Sequence, residues 1–271
     1  MAPRAGNLPT GGAIERRSSE SKWLLPMRLI PTIPHDILSY IKYPELEQEA
    51  DVKWKKIVEV YSKQGKLKNW LAVCDVDTTL SAGLALGLFL PQLSDEPWKG
   101  KVVAYSKNPR LHSIQGEDLN SRAKFMQTLI KSQDWTADFG KVFDVILEEA
   151  VNANLKPDKM VKKVLALTTY KHFLTGSNFS FWGETNYKEI WNKYKEKGYG
   201  EVVPHLVIWN MIKPEYSAGH CREPEPGVTL LSGFSYKLLE FFFENDGDIG
   251  PNHVVEAAVS APAYQTLAVV D

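Results

Sequence analysis

From position 70 onward, short runs of Val, Leu, Ile and Ala alternate with longer stretches in which apolar residues recur every three or four positions. The runs are WLAVC at 70–74, KVVAY at 101–105, VKKVLAL at 161–167, VPHLVIW at 203–209 and GVTLL at 227–231. Apolar character that is continuous rather than alternating predicts strands buried on both faces, as in a parallel sheet. Between the runs, Leu84 to Leu93 is apolar nearly all round, and positions 138–150 put Phe139, Val142, Phe143, Ile146 and Ala150 on one helical face. Tyr187, Ile190, Trp191 and Tyr194 repeat the spacing before Gly198. Ser235 is placed to cap a helix that buries Leu238, Leu239, Phe242 and Phe243. Strands separated by helices predict an α/β fold, a doubly wound and mainly parallel sheet with helices on both faces. No repeat appears at solenoid periods.

Ahead of this alternation, positions 45–64 space Val52, Ile57, Val60 and Tyr61 as on a helix. Acids come early and lysines late, matching the helix dipole, and Gly65 ends the segment. Residues 1–33 are rich in Gly, Ser, Pro and Arg and run into LIPTIPH at 29–35, where prolines disfavour helix. They predict a disordered or extended tail, then a strap leading into one domain over 34–271.

Composition removes several function classes. The 271 residues are 44% hydrophobic and balance 32 Lys and Arg against 33 Asp and Glu, so nothing marks a nucleic-acid or membrane-surface protein. The N-terminus has no continuous apolar core of a signal peptide, and no segment approaches 18 consecutive apolar residues. Only Cys74 and Cys221 are present, the latter in a Pro- and Glu-rich loop, which argues against a disulfide scaffold. Both are read as free thiols of a cytoplasmic protein, with organellar targeting by the tail left open. The sequon at Asn178 is idle in that setting. Six histidines without metal spacing and the absence of a CxxC pair argue against zinc. No P-loop, GxSxG or GxGxxG follows a strand. Trp191 and Trp209 lie on apolar faces and are assigned to the core, whereas Phe179, Phe181 and Trp182 in SNFSFWGETN form a candidate aromatic patch for a protein partner.

The chemistry concentrates where the first apolar run stops. LAVCDVDTTL at 71–80 delivers two aspartates and two threonines within five residues, and open α/β sheets gather ligands at the carboxyl ends of their strands. Locally, Asp75, Asp77, Thr79 and Leu80 resemble the opening motif of haloacid-dehalogenase-type phosphatases. That resemblance implies Asp75 as nucleophile and Asp77 as acid/base beside magnesium. Thr168 would supply the hydroxyl of a second strand end, and Lys171 or Lys213 the lysine. The required acidic pair is missing, because Asp246 and Asp248 follow LLEFFFEN, whose spacing is helical.

A second resemblance covers far more of the chain. The segment from Lys63 to Asn69, AVCDV at 72–76, LSDEPWKGKVV at 93–103, DFGKVFDVILEEAV at 138–151, KEKGYG at 195–200, LLSGFS at 230–235 and FFENDGDI at 242–249 occur in order. Together they resemble a plant family of uncharacterised proteins with a von Willebrand factor A-like domain. The resemblance implies a Rossmann-like three-layer fold and a metal-ion-dependent adhesion site, in which a divalent cation held by an Asp-x-Ser-x-Ser segment, a Thr and an Asp accepts a partner's carboxylate. Here the pattern is degenerate. Asp75 is kept and Thr79 retains a hydroxyl, but Asp77 replaces the first Ser. The Thr position falls on Ala137, flanked by Thr136 and Asp138, and the last Asp falls at Thr169.

The implied metal set is therefore Asp75, Asp77, Thr79, Thr136, Asp138 and Thr169, with Mg2+ as the cation and Asp77 restoring the missing carboxylate. Set against it is a solvated polar loop on an inherited scaffold, with Asp77 bonding backbone amides. Relatives in that family are usually longer at the N-terminus, where a helical region resembling RNA-binding ring proteins can occur, and RNA binding is not carried over. The expectation is a non-catalytic intracellular protein-interaction module with a degenerate or rearranged cation site. The alternative is a magnesium-dependent phosphatase.

Overall fold

The five apolar runs become the centre of a seven-stranded sheet. In the computed structural model, the described residues are 33–74, 81–104, 108–131, 139–168, 184–211, 220–225 and 227–260. The strands are β1 (Trp70–Cys74), β2 (Lys101–Ala104), β3 (Leu111–Ser113), β4 (Lys163–Thr168), β5 (His205–Asn210), β6 (His220–Glu225) and β7 (Val228–Ser232). Their order is β3-β2-β1-β4-β5-β7-β6. β2, β1, β4, β5 and β7 run parallel, while β3 and β6 close the two edges antiparallel. The expected doubly wound, mainly parallel α/β sheet is thus present.

Both edge strands escaped the sequence reading. β3 has three half-exposed or exposed residues, and β6 reads HCREPE, so neither is an apolar run. Cys221, assigned above to a loop, lies in β6. Pro224 there is compatible with an edge, where one strand side makes no ladder bonds. On the other edge, the Gln115 amide donates to the Ser113 carbonyl at 3.0 Å, covering one edge acceptor.

The helices are α1 (Pro34–Ser39), α2 (Glu47–Gln64), α3 (Ser81–Leu93), α4 (Leu119–Lys131), α5 (Phe139–Asn152), α6 (Glu184–Glu196), α7 (Tyr236–Glu244) and α8 (Pro251–Val259). Connections β1–α3–β2 and β4–α6–β5 travel in opposite directions along the sheet. Crossovers of one hand then put α3 and α6 on opposite faces. Two cores result. Ala72, Cys74, Leu165, Leu167, Val207 and Trp209 pack under α1 to α4, α7 and α8. Their neighbours Leu71, Val73, Val164, Ala166, Leu206 and Ile208 pack under α5 and α6. The alternation along each strand is the two-residue period of a pleated chain.

Two local expectations change. Helix α1 begins at Pro34, inside the segment expected to be extended, with Ile33 as its extended N-cap. A proline at the first helical position loses no hydrogen bond, because that N–H has no intrahelical acceptor. On α2 the inward face is Ala50 and Trp54, continued by half-buried Ile57, Val58 and Tyr61; Val52 is 66% and Val60 42% exposed. Trp209 is fully buried as expected, but Trp191 is half-buried under the Lys195 ammonium, 4.7 Å from its ring centre.

Edge-to-face rings tie α2 to the sheet's cover, Trp54 to Phe89 at 5.8 Å, Tyr61 to Phe89 at 5.4 Å and Phe89 to Phe243 at 5.7 Å. Trp98 and Trp209 satisfy their buried indole N–H groups on the Lys159 and Gly233 carbonyls, each at 2.9 Å. The Trp54 N–H has no acceptor, an orphaned donor among the described residues that costs about 1–3 kcal/mol in a core.

Candidate functional site

The strand order reverses at β1. From β1 the chain steps outward to β2 and β3, then returns past β1 to begin β4 on its other side. Such a reversal leaves a crevice outside the carboxyl ends of the two strands it separates, here β1 and β4. Those ends stand side by side, since Cys74 pairs with Leu167. Helices α3 and α5 start at the same edge, from opposite faces. A Cβ built on Gly83, in the first turn of α3, would lie 3.6 Å from Met211 Sδ just beyond β5, while Ser94 after α3 donates to the Trp70 carbonyl at the amino end of β1, at 3.1 Å. For α5, Lys141 in the first turn donates to Asn108 beyond β2 at 3.1 Å, and Glu149 near its end pairs with Lys101 at the start of β2 at 2.6 Å.

Every residue of the implied metal set falls outside the described residues. Asp75, Asp77 and Thr79 belong to 75–80, which follows β1 in sequence; Thr136 and Asp138 belong to 132–138, which precedes α5; Thr169 belongs to 169–183, which follows β4. The aromatic residues Phe179, Phe181 and Trp182, and Lys171 and Lys213, also lie outside them. Among the described residues, no group of three or more His, Cys, Asp or Glu side chains is arranged to hold a metal ion.

What the structure adds at this edge is a row of buried polar side chains. Thr168, Asn210 and Ser232 end β4, β5 and β7, are paired in register, and are 3%, 1% and 0% exposed. Their backbones are bonded: the Thr168 carbonyl accepts from Met211 N–H at 2.8 Å and the Asn210 carbonyl from Gly233 N–H at 3.0 Å. By strand period, the three side chains share the face of Ala166, Ile208 and Leu230, beneath α5 and α6. Asn210 and Ser232 were not singled out in the sequence. The available signal was the one that drew attention to Asp75, a buried run ending abruptly in a polar residue, seen in VLALT, HLVIWN and VTLLS.

The opposite, amino edge carries the charges. Asp246 accepts from the Leu67 backbone N–H just before β1, and Asp248 pairs with Lys163 at the start of β4. Both acids follow helix α7, as their spacing predicted, and sit across the sheet from the β1–β4 carboxyl ends. Both therefore lie at the edge opposite the carboxyl end of β1. Nearby, the Lys159 ammonium at 3.2 Å and then Lys68 at 3.4 Å hold the Asp95 carboxyl below the usual carboxylate range, outweighing partial burial.

A folded-state pKa below the unfolded one makes Asp95 stabilising above a pH of about 4, and that contribution is lost as pH falls through the folded value. Asp95→Asn is expected to cost roughly 0.2–1 kcal/mol at pH 7, the range for solvent-screened pairs. The gap from wild type should close in acid denaturant titrations. A gap that stays constant with pH would show that the ion pairs do not carry the effect.

No helix among the described residues is long and apolar enough to cross a membrane. In comparison with known proteins, the chain is similar over 250 residues to the uncharacterized protein L728 of Acanthamoeba polyphaga mimivirus, at 26% identity. The alignment covers 88% of this chain and 42% of the viral protein, so the chain spans less than half of that relative's length. A family model described as a domain of unknown function, DUF7788, matches residues 67–264, from the approach to β1 to just beyond α8. With the whole seven-stranded sheet and most of its helices inside that match, the chain belongs to the DUF7788 family.

Proposed function

We propose that this chain is a non-catalytic protein-interaction module that docks a partner at the carboxyl edge of its sheet. In this reading Asp75, Asp77, Thr79, Thr136, Asp138 and Thr169 hold a Mg2+ ion, and Phe179, Phe181 and Trp182 supply aromatic anchors. The observation that carries it is the strand reversal at β1. The segments after β1, before α5 and after β4 continue from elements that all open on one edge. The donor chemistry fits the cation: three carboxylates and three hydroxyls are hard oxygen donors, and Mg2+ favours six oxygens while keeping exchangeable waters. When bound, the ion would offer a coordination position to a partner's oxygen. The chain's own residues would orient that oxygen and exclude competing water. Asp246 and Asp248, at the far edge, weigh against a phosphatase that uses them with Asp75.

Calorimetric titration of the full chain with MgCl2 and MnCl2 tests the reading. Saturable binding that disappears in both Asp75→Ala and Asp77→Ala is expected, with no turnover of an aryl phosphate. Silence at millimolar metal would remove the cation. Aryl phosphate turnover that is lost in Asp75→Asn would overturn the non-catalytic assignment.

A further inference from the structure

The outer surface of α5 and α6 holds a cleft of about 340 Å³, lined by Asp144, Leu147, Glu148, Val151 and Asn152 of α5 and by Lys197 just after α6. Glu149, next to Glu148, pairs with Lys101 at the start of β2, so this half of α5 lies away from the carboxyl edge. Small-molecule sites begin at about this size and join apolar surface to a few convergent polar groups.

The two walls carry opposite charge. Helices α5 and α6 each lead into one of two parallel strands and so run in the same direction. Asp144 and Glu148 stand one turn apart on one wall, Lys193 and Lys197 one turn apart on the other. The first turn is closed, because the Lys193 ammonium donates to both Asp144 carboxylate oxygens, at 2.7 and 3.0 Å. One turn on, Glu148 and Lys197 are exposed and line the cleft. Neither side chain has a hydrogen-bond or ion-pair partner among the described residues, and nor does the Asn152 amide. Buried Leu147 and exposed Val151 supply the apolar surface. The walls are fixed on both sides of the open pair. The Tyr194 hydroxyl donates to the Phe143 carbonyl at 2.9 Å and the Tyr199 hydroxyl to the Leu155 carbonyl at 2.7 Å. A ligand therefore need not order them.

A ligand of one charge would answer only one wall. An amphoteric ligand with an apolar body answers both, and complementary charge is what selects it. Packed helix axes lie about 8–10 Å apart, which suits an ammonium and a carboxylate joined through a single carbon. We infer that this cleft binds a free apolar α-amino acid. The ammonium meets Glu148 and Asn152, the carboxylate meets Lys197, and the side chain lies on Leu147 and Val151. No residue of the carboxyl edge takes part, so the inference is independent of the docking reading.

The test is an NMR titration of the full chain with L-leucine at pH 7 and low salt, where exposed charges are least screened. Saturable amide shifts confined to 144–152 and 193–197 are expected, with a Kd on the order of millimolar, because solvent-screened charge contacts contribute modestly. N-acetyl-L-leucine lacks the ammonium and L-leucinamide lacks the carboxylate. Each should bind at least about threefold more weakly, as should L-leucine to Glu148→Gln and to Lys197→Met. The two derivatives decide the charge recognition without any variant. Absence of saturable shifts at tens of millimolar L-leucine would overturn the inference. Equal binding of L-leucine and both derivatives would overturn it too, since apolar contact alone would then suffice. Unchanged affinity in both variants would place the amino acid elsewhere on the chain and sink the assignment of this cleft.

Discussion

Trp209→Ala is expected to destabilise the fold by about 3–5 kcal/mol, the range for deleting a buried large aromatic, and to lower the melting temperature by on the order of 10 °C. Trp209 is fully buried in β5, with β4 and β7 on either side. Its ring lies 5.4 Å from that of Phe242 on α7, and Phe242 lies 5.3 Å from Trp70 on β1. Alanine would empty the point where aromatic packing from β1, β5 and α7 meets. It would also strip the Gly233 carbonyl of its indole donor, leaving a buried acceptor unpaired. Trp209→Phe keeps most of the packing and loses the hydrogen bond, so it should fall between wild type and alanine. Thermal unfolding followed by circular dichroism separates the contributions. A loss below about 1 kcal/mol for the alanine variant would mean that α7 closes onto β5 and fills the space, contrary to the limited relaxation usual in cores.

What was legible in the sequence was whatever is buried on a repeating pattern. WLAVC maps onto β1 residue for residue. The predicted face of α5 is buried, with Leu147 added to it, and Ser235 caps α7 by accepting the Leu238 N–H at 3.1 Å. These succeed because burial on two faces, or on one helical stripe, leaves an uninterrupted periodic trace. β3 and β6 leave none, since an edge strand is held by backbone bonds to one neighbour. The face of α2 was misjudged for a different reason. Two exposed valines matched helical spacing, whereas the inward anchors are an alanine and a tryptophan whose burial depends on α3 and α4 arriving from later in the chain.

The candidate site divides along the same line. A run that ends in polar residues points to a strand end, which is local information. That Thr168, Asn210 and Ser232 lie beneath α5 and α6 depends on strand order and layer assignment, which no single segment encodes.

Gly247→Ala is expected to cost about 3 kcal/mol, from a left-handed backbone penalty of roughly 1–2 kcal/mol and an overpacking penalty of roughly 1–3 kcal/mol. Gly247 has φ +77°, and a side chain there would run into the Trp70 ring at the start of β1. The turn cannot shift freely. The Gly247 N–H donates to the Phe242 carbonyl at 2.7 Å, Asp246 accepts from Leu67, and Asp248 pairs with Lys163, whose ammonium lies 5.0 Å from the Trp70 ring centre.

Gly65 separates the two costs, having φ +68° but no atom within 4 Å of the position a Cβ would take. Gly65→Ala should therefore lose only the backbone share, about 1–2 kcal/mol. On a Trp70→Leu background, Gly247→Ala should approach that smaller value, with the difference appearing as coupling in a double-mutant cycle. Equal losses at the two glycines, or no coupling to Trp70, would show that ring contact does not set the turn. Because this lock lies at the amino edge, the proposed cation reading of the carboxyl edge predicts that Gly247→Ala, at temperatures where it remains folded, titrates with MgCl2 as wild type does. A parallel loss of cation binding would mean that the two edges are mechanically linked through β1.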